Sequence, residues 1–600
     1  MKNTIKNILL LLCAAFSLSS CDDWLNKTPE SKLTVDSYFE TETDLKMFSN
    51  SFYSTAFGGD YHRNQSDVII ESTLSDLIRG GNSRNVPNSG GGWNFTWLRK
   101  INTLIEYAPR CEDKDAVVEY TAVAKFFRAW YYYSKVRIFG DYPWIDHVMA
   151  SNDADLQAPR DSREIVLTHM IEDVDSAIVH LPETSSLYRI NKYTAYALKA
   201  RFCLFEGTYR KYHEYKDTTG SGHDAAYYLN LAAEAAQKIM DSGKYSIYST
   251  GHPDKDYVNY FKSTDAIEGE TILAVDYDKS LNLFHDATCY GIQSAKGRAG
   301  FTKKFVNSYL MKDGSRFTDQ PGWKTMTFTE ETKDRDPRLS QTMRTPGYIR
   351  PGKSVSTLDG PDYTSSVTAY QTIKYLMDAD AGADSADRSY NDMPVIRYAE
   401  ILLIYAEAKA ELGTLTQADL DKSIKLIRDR VGMPNINLAS ANANPDPYLS
   451  GAEGGYVNVT GANKGVILEI RRERTIELVQ EGSMRYLDLM RWKEGQCLAQ
   501  NFYGIYFPSL GEFDLDGDGV KEYCLYKGSK PTTSAKYVFE VGEGKDMVLT
   551  NGDSGYIDAV SGIPHVFDEG RDYLYPVPIN ERSLNRNLTQ NPGWDDGLDF

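Results

Sequence analysis

The chain has 600 residues, 66 basic against 84 acidic, and a net charge of −18. That acidity argues against a nucleic-acid binder, which needs a basic face, and the length allows a large core and more than one lobe. With 42 tyrosines and 8 tryptophans, the chain is rich in flat apolar bodies with polar handles, suited to a core or to a binding surface.

Lys2 and Lys6 open the chain, an apolar run follows over 8–18, and Leu18, Ser19 and Ser20 lead into Cys21. A charged start, a short apolar middle and a small-residue exit form a secretory signal, too short to cross ~30 Å of hydrocarbon as a permanent helix. A cysteine at that point is similar to a lipobox, where acyl chains are attached to the thiol and hold the protein to a membrane. Asp22 and Asp23 beside it are similar to the signal that sends lipoproteins to the outer face of an outer membrane. The cysteines beyond Cys21, namely Cys111, Cys203, Cys289, Cys497 and Cys524, are scattered and lack any C-x-x-C pair. They read as buried free thiols rather than zinc ligands or disulfides.

Apolar residues at three- and four-residue steps predict helices over 43–57, 96–108, 116–138, 163–181, 192–209 and 225–242. Ala122, Phe126, Ala129 and Tyr133 alternate small and bulky side chains along one face. Such nesting is that of a degenerate tetratricopeptide-like helical repeat. From 254 to 391 the chain becomes loop-rich with some strand, as at 271–275. Helices are expected again over 394–412, 417–431 and 465–493, then long loops with short strands over 495–570.

Gly347, Gly352, Lys353 and Ser354 fit G-x-x-x-x-G-K-[ST], but no apolar strand precedes them and no helix can follow. Gly552, Asp553, Ser554 and Gly555 are similar to a serine-protease nucleophile segment, yet the nine histidines show no supporting pattern. No H-E-x-x-H occurs. More specific is the run Asp514, Asp516, Asp518 with Gly519, the carbonyl of Val520 and Glu522, whose spacing lets a loop curl oxygens around Ca²⁺. Leu525 stands where an EF-hand has its bidentate Glu, so a loop-type structural calcium site and a plain Asp/Gly turn both fit. The charge run from Glu469 to Glu477 reads as a helix with i,i+3 pairs, Glu469 to Arg472 and Arg474 to Glu477.

Taken in order, several segments resemble the SusD/RagB outer-membrane lipoproteins. They are CDDWL at 21–25, WLRKIN at 97–102, AKFFRAWYYY at 124–133 with FGDYP at 139–143, and DRDPRL at 334–339. RYAEILLIYAEA at 397–408, ERTIEL at 473–478, RYLDLMRW at 485–492, YPVPI at 575–579 and QNPGW at 590–594 complete the set. The resemblance implies a mainly α protein, with a leader over 1–20, a helical region over 21–250 and a further region over 251–600 that includes a loop-rich lobe with short strands.

It also implies no catalysis and no required cofactor. Such proteins capture glycans at the cell surface, anchored in the outer membrane and facing outward, and pass them to a SusC-like TonB-dependent transporter. A peptide-binding surface protein of the same fold, or a surface glycosidase, are the other readings. Family members stack exposed aromatics on pyranose faces and hydrogen-bond the hydroxyls with polar groups. On that basis Trp93, which follows Gly90, Gly91 and Gly92, is expected to be presented outward by a flexible turn. Tyr290 and Trp323 in polar loops are further aromatic candidates, and Asp76, Arg79 and Asn94 are the polar ones.

Overall fold

A computed structural model describes residues 38–59 and 61–600; Cys21 and the leader lie outside the described residues. Six long helices build the first half: α1 (Glu42–Phe57), α2 (Thr96–Tyr107), α3 (Lys114–Phe139), α4 (Arg163–His180), α5 (Lys192–Tyr212) and α6 (Ala225–Asp241). Each lies within a few residues of its expected span, because a 3.6-residue apolar period is a local property of the chain. The ends are chemically marked. The Asp113 carboxylate caps the start of α3 by accepting from the N–H groups of Asp115 and Ala116, and Gly140, at φ 73°, ends it.

Successive helices pack side by side, α1 and α2 on α3, α3 on α4, α4 on α5 and α5 on α6, as a helical repeat requires. The α5–α6 approach is set by Gly207. A Cβ there would stand 2.7 Å from Leu229 Cγ and 3.0 Å from its backbone nitrogen. Gly207→Val is therefore expected to lower stability by about 1–3 kcal/mol through overpacking, checked by the urea midpoint.

Three expected helices are shorter than the periodicity suggests. Met393–Arg397 is strand β2, paired antiparallel with β1 (Thr271–Val275), and helix α7 (Tyr398–Leu412) begins only after it. A short apolar run is equally consistent with strand and helix, and here the partner strand more than a hundred residues away decides. The expected helix over 465–493 is two, α8 (Lys464–Glu477) and α9 (Met484–Arg491). Gln480 and Gly482 between them take left-handed φ values of 61° and 64°, and the Gly482 N–H donates to the Tyr61 carbonyl at 2.8 Å. The expected helix over 417–431 also divides, into Gln417–Asp421 and Ile424–Arg430.

The loop-rich lobe carries five further strands. They are β3 (Tyr503–Phe507), β4 (Gly511–Phe513), β5 (Tyr523–Tyr526), β6 (Tyr537–Glu540) and β7 (Gly555–Asp558). β3 pairs antiparallel with β7, and β4, β5 and β6 form a three-stranded sheet. This lobe has a core of its own around Phe305, Tyr309, Phe328, Tyr370, Ile505 and Ile557. The five described cysteines are all buried and free, as their scatter suggested.

The charge run on α8 is mostly internal. Glu469 pairs with Arg472 at 3.1 Å as expected, but Arg474 turns to Asp488 at 2.7 Å, on α9. Glu477 is held by Arg430 at 2.6 Å, Arg397 at 2.7 Å and Arg338 at 3.1 Å. Arg397 also binds Glu270 at 2.8 Å and Glu481 at 2.7 Å. A single buried network thus ties α8 to β2, to the residue before β1 and to the 334–339 segment.

Candidate functional site: an aromatic groove on the loop-rich lobe

Where the lobe meets the scaffold, Trp323, Tyr448, Tyr503 and Tyr556 wall a groove of about 410 Å³, with Asn307, Gln500, Asn501 and Lys324 among its polar lining. The β3–β7 pair positions two of the rings. Three residues apart on a regular strand, Tyr503 and Tyr506 would face opposite sides. The register shifts between them, and both come to rest on Tyr556, Tyr503 stacked at 5.4 Å and 15°, Tyr506 edge-on at 5.5 Å. Opposite, Trp323 sits half-buried after Gly322, which takes φ 73°, and meets Tyr448 edge-to-face at 5.6 Å.

Polar groups punctuate these faces. The Asn501 amide donates to the Tyr503 hydroxyl at 2.8 Å. The Asn307 amide donates to the Tyr448 hydroxyl at 3.2 Å, while its own carbonyl oxygen is buried without a partner. Lys324 and Glu453 form an exposed pair at the groove at 2.6 Å. Lys303 and Lys304 are neutralised by Glu331 and Asp67. The groove therefore offers flat apolar faces, carboxamides and hydroxyls, with every lysine paired, which is the chemistry for an uncharged polyhydroxylated ligand. No nucleophile–base pair emerges here. Ser554 lies in the turn before β7, where the Asn551 N–H donates to its carbonyl at 3.0 Å, and Gly347–Ser354 lies in turns with neither strand nor helix on its flanks.

Of the residues expected at the site, Trp323 alone lines this groove. Trp93 is turned inward and is 3% exposed. Gly90, Gly91 and Gly92 all take left-handed φ values, and the turn they make tucks the indole against Phe139 at 5.0 Å and Tyr142 at 4.5 Å. The same flexibility that would present a side chain outward folds it onto α3. Tyr290 is 1% exposed, on a short helix, with its hydroxyl donating to Glu71 at 3.2 Å. Both are packing residues, not exposed platforms. Asp76 and Arg79 are exposed on the short helix Asp76–Arg79, and Asn94 is exposed just before α2; none of the three lines the groove. Tyr448, Tyr503, Tyr556, Asn307 and Asn501 carried no local signal among 42 tyrosines and many loop amides.

The acidic hairpin loop between β4 and β5 gathers Asp514, Asp516 and Glu522, with one oxygen of each within 4.8 Å of the others. The EF-hand order is not followed. The Asp518 carboxylate accepts from the Val520 N–H at 2.7 Å and is not one of the three gathered carboxylates. Burial, with Asp516 and Asp514 close by, pushes the Glu522 carboxyl up to about 7, and its Oε2 is buried without a hydrogen-bond partner. Asp516 is raised for the same reasons. Three crowded carboxylates with an orphaned oxygen fit a hard divalent cation.

A family model described as "SusD family" matches residues 269–594. The chain belongs to the SusD family. A second model, described as "Starch-binding associating with outer membrane", matches residues 23–204. Among curated SusD relatives, SusD-like protein P2 of Formosa agariphila is 24% identical over 552 residues, covering 87% of this chain and 96% of that one. SusD-like protein P38 of the same organism is 23% identical and covers 81% and 91%. Among solved structures, a SusD-like carbohydrate binding protein from Bacteroides fragilis superposes with a TM-score of 0.65 at 21% identity, over 92% of this chain and 99% of that one. A further SusD-like protein of B. fragilis gives 0.66 at 19%, over 95% and 100%. At such identities the likeness concerns the fold, a mainly α scaffold with few short strands. No helix among the described residues is long and apolar enough to cross a membrane.

Proposed function

We propose that this SusD-family protein is a non-catalytic glycan receptor that binds oligosaccharide in the aromatic groove. The observation that carries the reading is the meeting of Trp323, Tyr448, Tyr503 and Tyr556 from four separate segments around one space. Axial C–H groups of a pyranose pack on such faces, and the carboxamides of Asn307, Gln500 and Asn501 suit its hydroxyls. Acyl chains on Cys21 hold the protein to the outer face of the outer membrane, beside a SusC-like TonB-dependent transporter that receives the glycan. Tethering both in one membrane raises their effective concentration. Calorimetric titration with neutral oligosaccharides tests the reading: saturable binding with no turnover of the sugar is expected. Binding of peptides alone, or release of shorter sugars by the purified protein, would overturn it.

A calcium ion held by Asp514, Asp516 and Glu522 staples the β4–β5 hairpin. The orphaned Glu522 oxygen and the raised Glu522 and Asp516 carboxyls support this. A raised carboxyl pKa favours the protonated folded form, so without metal the loop loses stability as pH rises through about 7. Metal needs the deprotonated group. Adding about 1 mM calcium should raise the melting temperature more at about pH 8 than at about pH 5.5. A chelator should reverse the gain, and Glu522→Gln should remove it. A melting curve indifferent to calcium at both pH values would exclude the site.

A further inference from the structure

Away from the aromatic groove, α3, α5, α7, α8 and α9 line a cavity of about 150 Å³. Four guanidinium groups line it, those of Arg137, Arg201, Arg474 and Arg491, against the three carboxylates of Glu400, Glu481 and Asp488. Arg201 is paired with Glu400 at 2.6 Å, Arg474 with Asp488 at 2.7 Å and Arg491 with Glu407 at 2.5 Å. Glu481 is engaged by Arg397 and Lys374, each at 2.7 Å. The excess charge belongs to Arg137, in the last turn of α3, which has no carboxylate partner among the described residues. Its guanidinium lies over the Tyr133 ring at 5.0 Å.

Hydrogen bonding tells the same story. Arg137 Nε is buried without an acceptor, and so is Nη1 of Arg474, a residue only 5% exposed. Buried guanidinium N–H groups left unpaired are costly, and both residues line the one cavity. Arg137, Ser483 and Leu487 also line an open groove of about 440 Å³, so the cavity and the groove share these three residues. The groove's other cation, Arg63, is already neutralised by Glu71 through bonds of 3.0 and 2.9 Å. Gln65, Ser75, Tyr486 and Tyr575 supply polar and aromatic lining.

We propose that this groove and cavity form a second ligand site, for a carboxylate that pairs with the Arg137 guanidinium at their junction. The carboxylate supplies, through charge-assisted bonds, the anionic partner that this guanidinium lacks. A free small acid and a uronic acid residue of a glycan offer the same group, and the groove has room for a sugar ring behind it.

The test is titration of the purified protein with sodium acetate, sodium glucuronate and glucose, read by calorimetry and by melting temperature. Saturable binding of a carboxylate, with glucose at least ten-fold weaker, is expected. Tighter binding of glucuronate than acetate identifies the sugar acid as the source, and equal binding identifies the free acid. Arg137→Gln should weaken the carboxylate ten-fold or more and leave neutral-glycan affinity at the aromatic groove unchanged, whereas Arg137→Lys should keep part of the carboxylate affinity. No saturable response to either carboxylate, glucose binding as well as glucuronate, or the same affinity in Arg137→Gln would each overturn the proposal. Loss of neutral-glycan binding at the aromatic groove would concern the other site alone.

Discussion

Replacing Glu477 by glutamine should lower the unfolding free energy by about 3–5 kcal/mol, measured from urea midpoints at neutral pH. The amide keeps the shape and removes the charge, so Arg430, Arg397 and Arg338 lose the carboxylate they share at 2.6, 2.7 and 3.1 Å. All four side chains are essentially inaccessible, at 0–1% exposure, and water cannot replace the lost partner. Burial alone would push the Glu477 carboxyl up, but the three guanidinium groups outweigh it and hold it well below the usual carboxylate range. A depressed carboxyl contributes stability above its unfolded pKa of about 4.3 and loses it as pH falls through the folded value. The gap between parent and variant should therefore narrow below about pH 4. Glu469, at the margin of the same helix with 13% exposure, gives the contrast: Glu469→Gln should cost about 1 kcal/mol or less. A Glu477→Gln variant as stable as the parent would mean the network does not hold the two lobes' elements together.

Removing the Trp323 ring should weaken neutral-oligosaccharide binding by about 30-fold, the loss of about 2 kcal/mol expected when a central aromatic contact is truncated. The ring is half-buried, meets Phe317 at 6.2 Å and Tyr448 at 5.6 Å in edge-to-face contacts, and lines the groove. Tyr556→Ala should weaken binding as well, because Tyr503 and Tyr506 lean on its ring. Trp93→Ala should behave in the opposite way, losing about 3–5 kcal/mol of stability through a core cavity with the affinity intact. If titration of Trp323→Ala gives the parent's affinity, the glycan does not bind in this groove.

These two residues mark the limits of reading a chain. The helix on which Glu477 lies was legible, since apolar spacing and charge pairs within one turn are local. Its partners were not, because Arg338, Arg397 and Arg430 come from segments 47 to 139 positions away, and nothing in ERTIEL distinguishes a solvated charge run from a buried one. Trp323 was legible as an aromatic in a polar loop, but Trp93 and Tyr290 looked the same and are buried. Whether a loop aromatic faces water depends on what the rest of the chain places beneath it.

Local chemistry in the sequence by itself determined the positions of the six helices of the first half, the unpatterned scatter of the cysteines, the family, and the acidic character of the 514–522 loop. Each of these depends on residues within one or two turns or on a fixed order of short segments. The tertiary structure alone decided that 393–397 is a strand, that Asp514, Asp516 and Glu522 bring one oxygen each within 4.8 Å of the others, and that four aromatic rings from distant segments share one groove. Arg137 is a further case, because only packing could bring it to a cavity whose carboxylates are all engaged by other cations. The physical reason is common to all of them: burial, pairing and register are set by contacts between residues far apart in the chain, and those contacts exist only once the lobes have closed on one another.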